Sequence, residues 1–157
     1  MDPSERRDRG IGSRRWRCRA QARLAVRAAL ERLVVKAEPI PALFAGLFLI
    51  MLYATIRFDD LLHSAADLIE LVAGALLGVA WQTKVDRRRK GTKWSASRGS
   101  ISGEDWAKRW HRLLRETLAP GEERDYVLPA PSPDLKKLRY GVALDYASAV
   151  AAFQLVC

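Results

Sequence analysis

The fold is decided by residues 39–81, PIPALFAGLFLIMLYATIRFDDLLHSAADLIELVAGALLGVAW. Two apolar runs, Pro39–Ile56 and Leu61–Trp81, are joined there only by RFDD at 57–60. Residues 40–56 carry no charge, and at about 1.5 Å per residue they span roughly 26 Å, close to the roughly 30 Å hydrocarbon core of a bilayer. Because the connection is so short, the runs must be antiparallel neighbours. The sequence therefore predicts a transmembrane helical hairpin, with helices over 40–57 and 61–82.

Basic residues lie on both outer sides of this hairpin. Of the net charge of +9, residues 1–38 contribute +6, from 11 Lys/Arg against 5 Asp/Glu, and residues 82–157 contribute another +6, from 15 against 9. The segment between them is acidic on balance. Lys and Arg on both outer flanks form the positive-inside pattern. It predicts a multi-pass integral membrane protein whose N-terminus and main C-terminal region are cytoplasmic.

The remaining segments complete an all-α fold class, in which basic amphipathic cytoplasmic helices flank the hairpin. Ser102 followed by Asp105 resembles a capping box and predicts a helix that ends before Pro120. Ser132 and Pro133 predict the start of a final helix. The predicted organisation is a disordered basic N-terminus at 1–13, a basic amphipathic helix at 14–38, the hairpin at 39–84, a basic linker at 85–102 and a C-terminal helical region at 103–157.

The second predicted helix carries ionisable and small residues at intervals of four, three, four and four, which place them on one face. A carboxylate at the bilayer centre costs about 2.5–3.5 kcal/mol on insertion scales, so this face must meet protein or water. It predicts a pore or helix-contact face. The alternative is a set of structural hydrogen bonds or ion pairs near the interface, with Arg57 as a partner. The members of the face are His63, Asp67, Glu70, Gly74 and Gly78, and Ala42 and Gly46 give the first helix a matching surface for helix packing.

Arginines recur at intervals of four in the N-terminal helix, and a second basic cluster follows the hairpin. Each Lys or Arg near an anionic leaflet contributes about 1 kcal/mol, so both sets predict binding of an anionic lipid or partner. Tryptophans interleaved with basic residues would also suit a nucleic acid. The two adjacent predicted spans favour the lipids of the cytoplasmic leaflet over nucleic acid. The residues concerned are Arg15, Arg19, Arg23, Arg27, Arg87, Arg88, Arg89 and Lys90.

No motif for catalysis is present: the chain has no P-loop, dinucleotide fingerprint, CxxC or HExxH. His63 and Asp67 supply too few ligands for a metal, so neither an enzyme nor a cofactor is expected. Three functions stay open. The first is an oligomeric channel-like or membrane-permeabilising protein that self-associates. The second is a non-catalytic structural or assembly subunit among other subunits of a larger membrane complex, and the third is a membrane-tethered nucleic-acid-binding protein.

Overall fold

The computed structural model describes residues 4–81 and 91–156, with the side chains of 19–81 and 91–154. Helices and strands are mixed along the chain. The helices are α1 (Ser4–Lys36), α2 (Pro39–Ala54), α3 (Phe58–Leu62), α4 (Trp106–Glu116) and α5 (Tyr146–Val156), with a 3₁₀ turn at Ala66–Leu68. The strands are β1 (Glu70–Leu71), β2 (Ala75–Ala80), β3 (Thr92–Ser97), β4 (Pro129–Pro131) and β5 (Leu138–Ala143). β1, β2 and β3 form one antiparallel sheet in that order, and β4 and β5 form a second.

The first apolar run forms α2, which is the centre of the core. Prolines are tolerated in the first turn of a helix, where backbone N–H groups have no intrahelical acceptor, and α2 accordingly begins at Pro39. The helix ends at Ala54 because Thr55 takes a left-handed conformation, with φ 51°. α1, α4, α5 and β3 all pack against α2. A helix surrounded by protein is apolar on all sides, as a membrane helix is, so the two patterns look alike in sequence.

The second apolar run is not a helix, so the predictions of a helix over 61–82 and of an all-α fold are wrong, whereas the helix predicted over 40–57 corresponds to α2. The run forms α3, the 3₁₀ turn, β1 and β2 instead. β2 carries apolar residues on both faces, because Leu76 is buried inside while Leu77 lies on the outer side of the sheet. A strand of this kind reads as one continuous apolar run, which periodicity alone does not distinguish from a helix.

The prediction of an integral membrane protein is wrong together with the prediction of a transmembrane hairpin. Within residues 4–81 and 91–156, none of the helices combines the length and the apolar character needed to cross a membrane. The predicted multi-pass topology with cytoplasmic tails is therefore wrong, because it requires membrane-spanning helices that the described residues do not form. The channel-like, membrane-subunit and membrane-tethered functions all required those spans, and they are withdrawn with them.

The apolar surface around α2 comes partly from segments that read as basic in sequence. Trp106 and Trp110 of α4 are fully buried, and Trp94 of β3 is nearly so. The Trp110 indole donates a hydrogen bond to the Leu43 carbonyl at 2.9 Å, and the Trp94 indole donates to Ser64 Oγ at 2.9 Å. Lys and Arg occupy the outer sides of the same elements. Three tryptophans thus supply cover for α2 that a search for long apolar runs does not detect.

The C-terminal region contains a strand pair as well as helices. β4 and β5 pair where the sequence suggests the start of one long helix, and Gly141 of β5 has a φ of 80° that interrupts helical geometry. α5 then packs against α2, where the centroids of the Phe153 and Phe48 rings lie 4.0 Å apart. At the other end of the chain, α1 begins at Ser4, within the segment whose composition suggests disorder.

Candidate polyanion-binding end

α1 leaves the folded body at the end where α2 finishes. The Arg27 guanidinium lies 5.1 Å from the centre of the Tyr53 ring and donates to the Leu52 carbonyl at 3.2 Å. Arg27 is half-buried there, whereas Arg23 and Arg19 are exposed one and two turns further out. A groove of about 480 Å³ opens between the two helices, lined by Ala22, Arg23, Val26, Arg27 and Leu52.

A buried carboxylate fixes the direction in which α1 leaves. Glu31 is 0 % exposed, and it accepts hydrogen bonds from the Tyr53 hydroxyl at 2.5 Å, the Ser100 hydroxyl at 2.7 Å and the backbone N–H groups of Ile101 at 3.1 Å and Ser102 at 2.7 Å. Burial by itself raises the pKa of Glu31, but these hydrogen bonds outweigh it and lower the pKa from 4.5 to about 2. The same cluster raises the pKa of Tyr53, first through burial and then through its bond to Glu31. α1 is therefore tied at one point to α2 and to the loop before α4.

Arg57 lies at this same end of the fold. It is exposed and occupies the N-cap position of α3, two residues after the left-handed Thr55 that ends α2. His63 caps the other end of α3, roughly 9 Å further along the helix axis at 1.5 Å per residue. The His63 carbonyl accepts from the Trp81 N–H at 2.9 Å, and Ser64 pairs with Ala80. The end of β2 is thus placed beside α3.

β2 is followed in the sequence by a basic stretch. The described chain stops at Trp81 and resumes at Gly91, and the intervening residues 82–90 have the sequence QTKVDRRRK, with five basic residues against one acid. We call the set formed by Arg19, Arg23 and Arg57 the basic end. Asp59 is exposed beside Arg57 and Asp60 is half-buried, so the local balance is basic without being free of acid.

The predicted pore or helix-contact face is divided among five different structural settings. His63 is half-buried at the end of α3, and Asp67 accepts from the Arg124 N–H at 3.3 Å through its carboxylate. Glu70 is exposed on β1, and Gly74 lies in the exposed turn before β2, where its carbonyl accepts from the Arg98 N–H. Gly78 is buried against the Trp94 indole, which a Cβ at this position would overlap. Since the helical spacing does not exist in three dimensions, no common face results.

The predicted packing and basic residues also have definite positions. Ala42 and Gly46 are buried in α2, where a Cβ on Gly46 would overlap the Trp110 indole. Arg19 and Arg23 are exposed as the basic stripe requires, but Arg27 is engaged with Leu52 and Tyr53. The side chain of Arg15 and the cluster of Arg87, Arg88, Arg89 and Lys90 lie outside the described residues.

Two buried charged residues are absent from the sequence-based predictions. Glu31 gave one signal, a single acid on the α1 surface that also carries Leu30 and Val34. Arg124 gave none, because it lies in a proline-rich segment without periodicity. Its guanidinium is almost fully buried and donates to the Thr117 hydroxyl at 3.0 Å and to the Thr117 and Val127 carbonyls at 3.2 and 3.1 Å. These networks hold loops in place.

Comparison of the chain with protein-family models, with curated proteins and with solved structures finds no match. In the described part of the chain, no group of three or more His, Cys, Asp and Glu side chains is arranged to hold a metal ion. The basic end is consequently the feature from which a function can be argued.

Proposed function

We propose that this protein binds a nucleic acid, and that the basic end contacts the phosphate backbone. The observation that carries the proposal is the convergence of two separate chain segments at one end of the fold: the exposed outer part of α1 and the α2–α3 turn. The overall charge of +9 and pI of about 10.1 agree with a polyanionic partner.

The exposed arginines of α1 favour such a partner electrostatically. Arg19 and Arg23 are four residues apart, so they lie on the same helix face and repel each other by a few tenths of a kcal/mol. A row of phosphates relieves this repulsion and binds the guanidinium groups through paired N–H donors. Arg57 adds a third exposed guanidinium group from the short connection between α2 and α3.

An anionic membrane is the second source of phosphate groups, and the fold weakens the reason for preferring it. That preference depended on two adjacent membrane spans. A helix lying in a membrane surface also needs a continuous apolar face opposite the basic one. In the exposed part of α1, Leu24 and Val26 are two residues apart, about 200° around the helix axis, so they do not share a face.

The proposal is tested by fluorescence anisotropy with a labelled duplex of about 20 base pairs, over about 50 to 300 mM salt. The variant R19A/R23A/R57A removes the described arginines of the basic end. The control K136A/K137A/R139A removes the same charge from exposed residues of the opposite end, where Lys136 and Lys137 line a groove with the start of α2. Vesicles of neutral lipid, with and without anionic lipid, form a parallel arm.

We expect the wild-type protein to bind the duplex with a steep salt dependence. The basic-end variant should lose up to three units of slope in a plot of log K against log salt, at about 0.9 per phosphate contact. The control should lose clearly less. Equal losses in the two variants would show that only total charge matters, and binding to anionic vesicles without binding to the duplex would assign the basic end to lipid. Either result overturns the proposal.

A further inference from the structure

The three-stranded sheet has a second face that the described part of the chain leaves uncovered. Its inner face, with Trp94 and Ala96, packs towards α2. The opposite side, which we call the outer face, carries Glu70 of β1, Leu77 and Val79 of β2, and Lys93 and Ser95 of β3. A shallow groove of about 450 Å³ lies on it and also includes Leu68, which is 46 % exposed.

The centre of the outer face is apolar. An antiparallel strand with one face in water usually alternates between apolar and polar residues. β2 does not alternate, because Leu77 is 37 % exposed and Val79 follows it on the same side. A strand that is apolar on both faces is typical of a sheet that is covered on both faces.

Opposite charges lie at opposite corners of this apolar centre. Glu70 pairs across the sheet with Leu77, and Lys93 pairs with Val79. With strands about 4.8 Å apart and about 3.4 Å per residue, the two charged positions are separated by roughly 9.6 Å across the sheet and 6.8 Å along it. Among the described residues, neither Glu70 nor Lys93 takes part in an ion pair.

This charge pattern is complementary to itself. We propose that the outer face binds a second copy of this chain through a two-fold symmetric, face-to-face contact. A two-fold axis lying between the two sheets, perpendicular to the diagonal from Glu70 to Lys93, places Glu70 of each copy opposite Lys93 of the other and brings the apolar centres together. The strands of the two copies then cross at about 70°, which falls near the orthogonal class of sheet packing.

The dimer does not depend on the basic end, since the two surfaces share no residue. The outer face belongs to a sheet of only three strands, which places the contact at the small end of protein interfaces. We therefore expect a dimer that dissociates on dilution and is weakened by salt.

The test is sedimentation equilibrium over a range of protein concentrations, with charge-reversal variants at these exposed positions. E70K and K93E alone should each weaken association by about tenfold or more, because each puts like charges opposite one another. The double variant E70K/K93E should restore association. K136E, which changes an exposed lysine outside the outer face, should associate as the wild type does.

Mixing the two single variants tests whether the ion pairs form between copies. A copy carrying E70K has lysine at both corners and a copy carrying K93E has glutamate at both, so an equimolar mixture should associate more tightly than either variant alone. A pair formed within one copy could not produce this result. The proposal is overturned by a wild-type protein that is monomeric throughout, by single variants that associate normally, or by a mixture that stays monomeric.

Discussion

Gly46→Ala is the substitution that most clearly separates the packing of α2 from its helix propensity. Gly46 lies in the middle of α2, and a Cβ at that position would overlap Cδ1 of the Trp110 indole. The indole is fully buried, and its N–H donates to the Leu43 carbonyl at 2.9 Å. It therefore has little room to move and loses a hydrogen bond if it does.

The expected effect is a loss of about 1–3 kcal/mol in the free energy of unfolding. Overpacking a well-filled core costs about 1–3 kcal/mol, and displacing a buried hydrogen bond adds about 1 kcal/mol or more. Replacing glycine by alanine inside a helix returns about 1 kcal/mol through propensity. Propensity alone thus predicts stabilisation, and the packing around Trp110 predicts destabilisation.

The measurement is urea unfolding followed by far-UV circular dichroism. Gly74→Ala is the matched control, because Gly74 is exposed and a Cβ there would meet no atom within 4 Å, so its change should stay within about 0.5 kcal/mol. Trp110→Leu combined with Gly46→Ala should be less destabilising than the sum of the single changes, since the smaller side chain relieves the overlap. A Gly46→Ala protein more stable than the wild type would refute this packing.

Two further stability predictions follow from the buried charges. Folding lowers the pKa of Glu31 from 4.5 to about 2, so its contribution of about 3 kcal/mol to stability is present above pH 4.5 and is lost as the pH falls towards 2. Glu31→Gln should flatten that part of a curve of stability against pH. An unchanged curve would show that the cluster does not form. Arg124→Met should destabilise by about 3 kcal/mol in urea unfolding, because the Thr117 and Val127 carbonyls lose a buried donor. Arg115→Met, at an exposed arginine that donates to the Asp67 carbonyl, should change stability by less than about 1 kcal/mol. Similar losses in the two arginine variants would contradict the role given to Arg124.

The sequence was informative where local chemistry determines local structure. The Pro-X-Pro entry and the uncharged run after it predict a helix where α2 lies, and acidic residues near 105 predict the start of α4. The detail differs, because the side chain of Asp105 caps α4 by accepting from the Lys108 N–H at 3.3 Å, while Ser102 turns its N–H towards Glu31. Local signals of this kind do not depend on distant parts of the chain.

The failure at residues 61–81 has a non-local cause. β2 is a strand because six residues of β3, beyond an eleven-residue connection, pair with it, and because Trp94 fills the space above Gly78. Neither fact is visible in the apolar run itself. The spacing of His63, Asp67, Glu70, Gly74 and Gly78 fits a helix by coincidence. The pore or helix-contact face inferred from this spacing is wrong because the helix does not form.

The candidate site shows the same division. The exposed arginines of α1 were identified from their spacing, and they remain the basis of the proposed function. Their grouping with Arg57 could not be predicted, because it depends on where α1 and α2 end relative to each other. The sequence also assigned Arg27 to the same set, but the ring of Tyr53 and the carbonyl of Leu52 engage it.

The central claim is that residues 70–80 form two strands of a sheet at the surface of an α/β fold, since the outer face depends on that sheet. The most direct measurement is solution NMR of the labelled protein, with nuclear Overhauser contacts recorded between residues 75–80 and 92–97. The account predicts antiparallel cross-strand contacts in the register Leu77 with Ser95 and Val79 with Lys93. Sequential helical contacts running without a break from 61 to 81, with no cross-strand contacts, would contradict it.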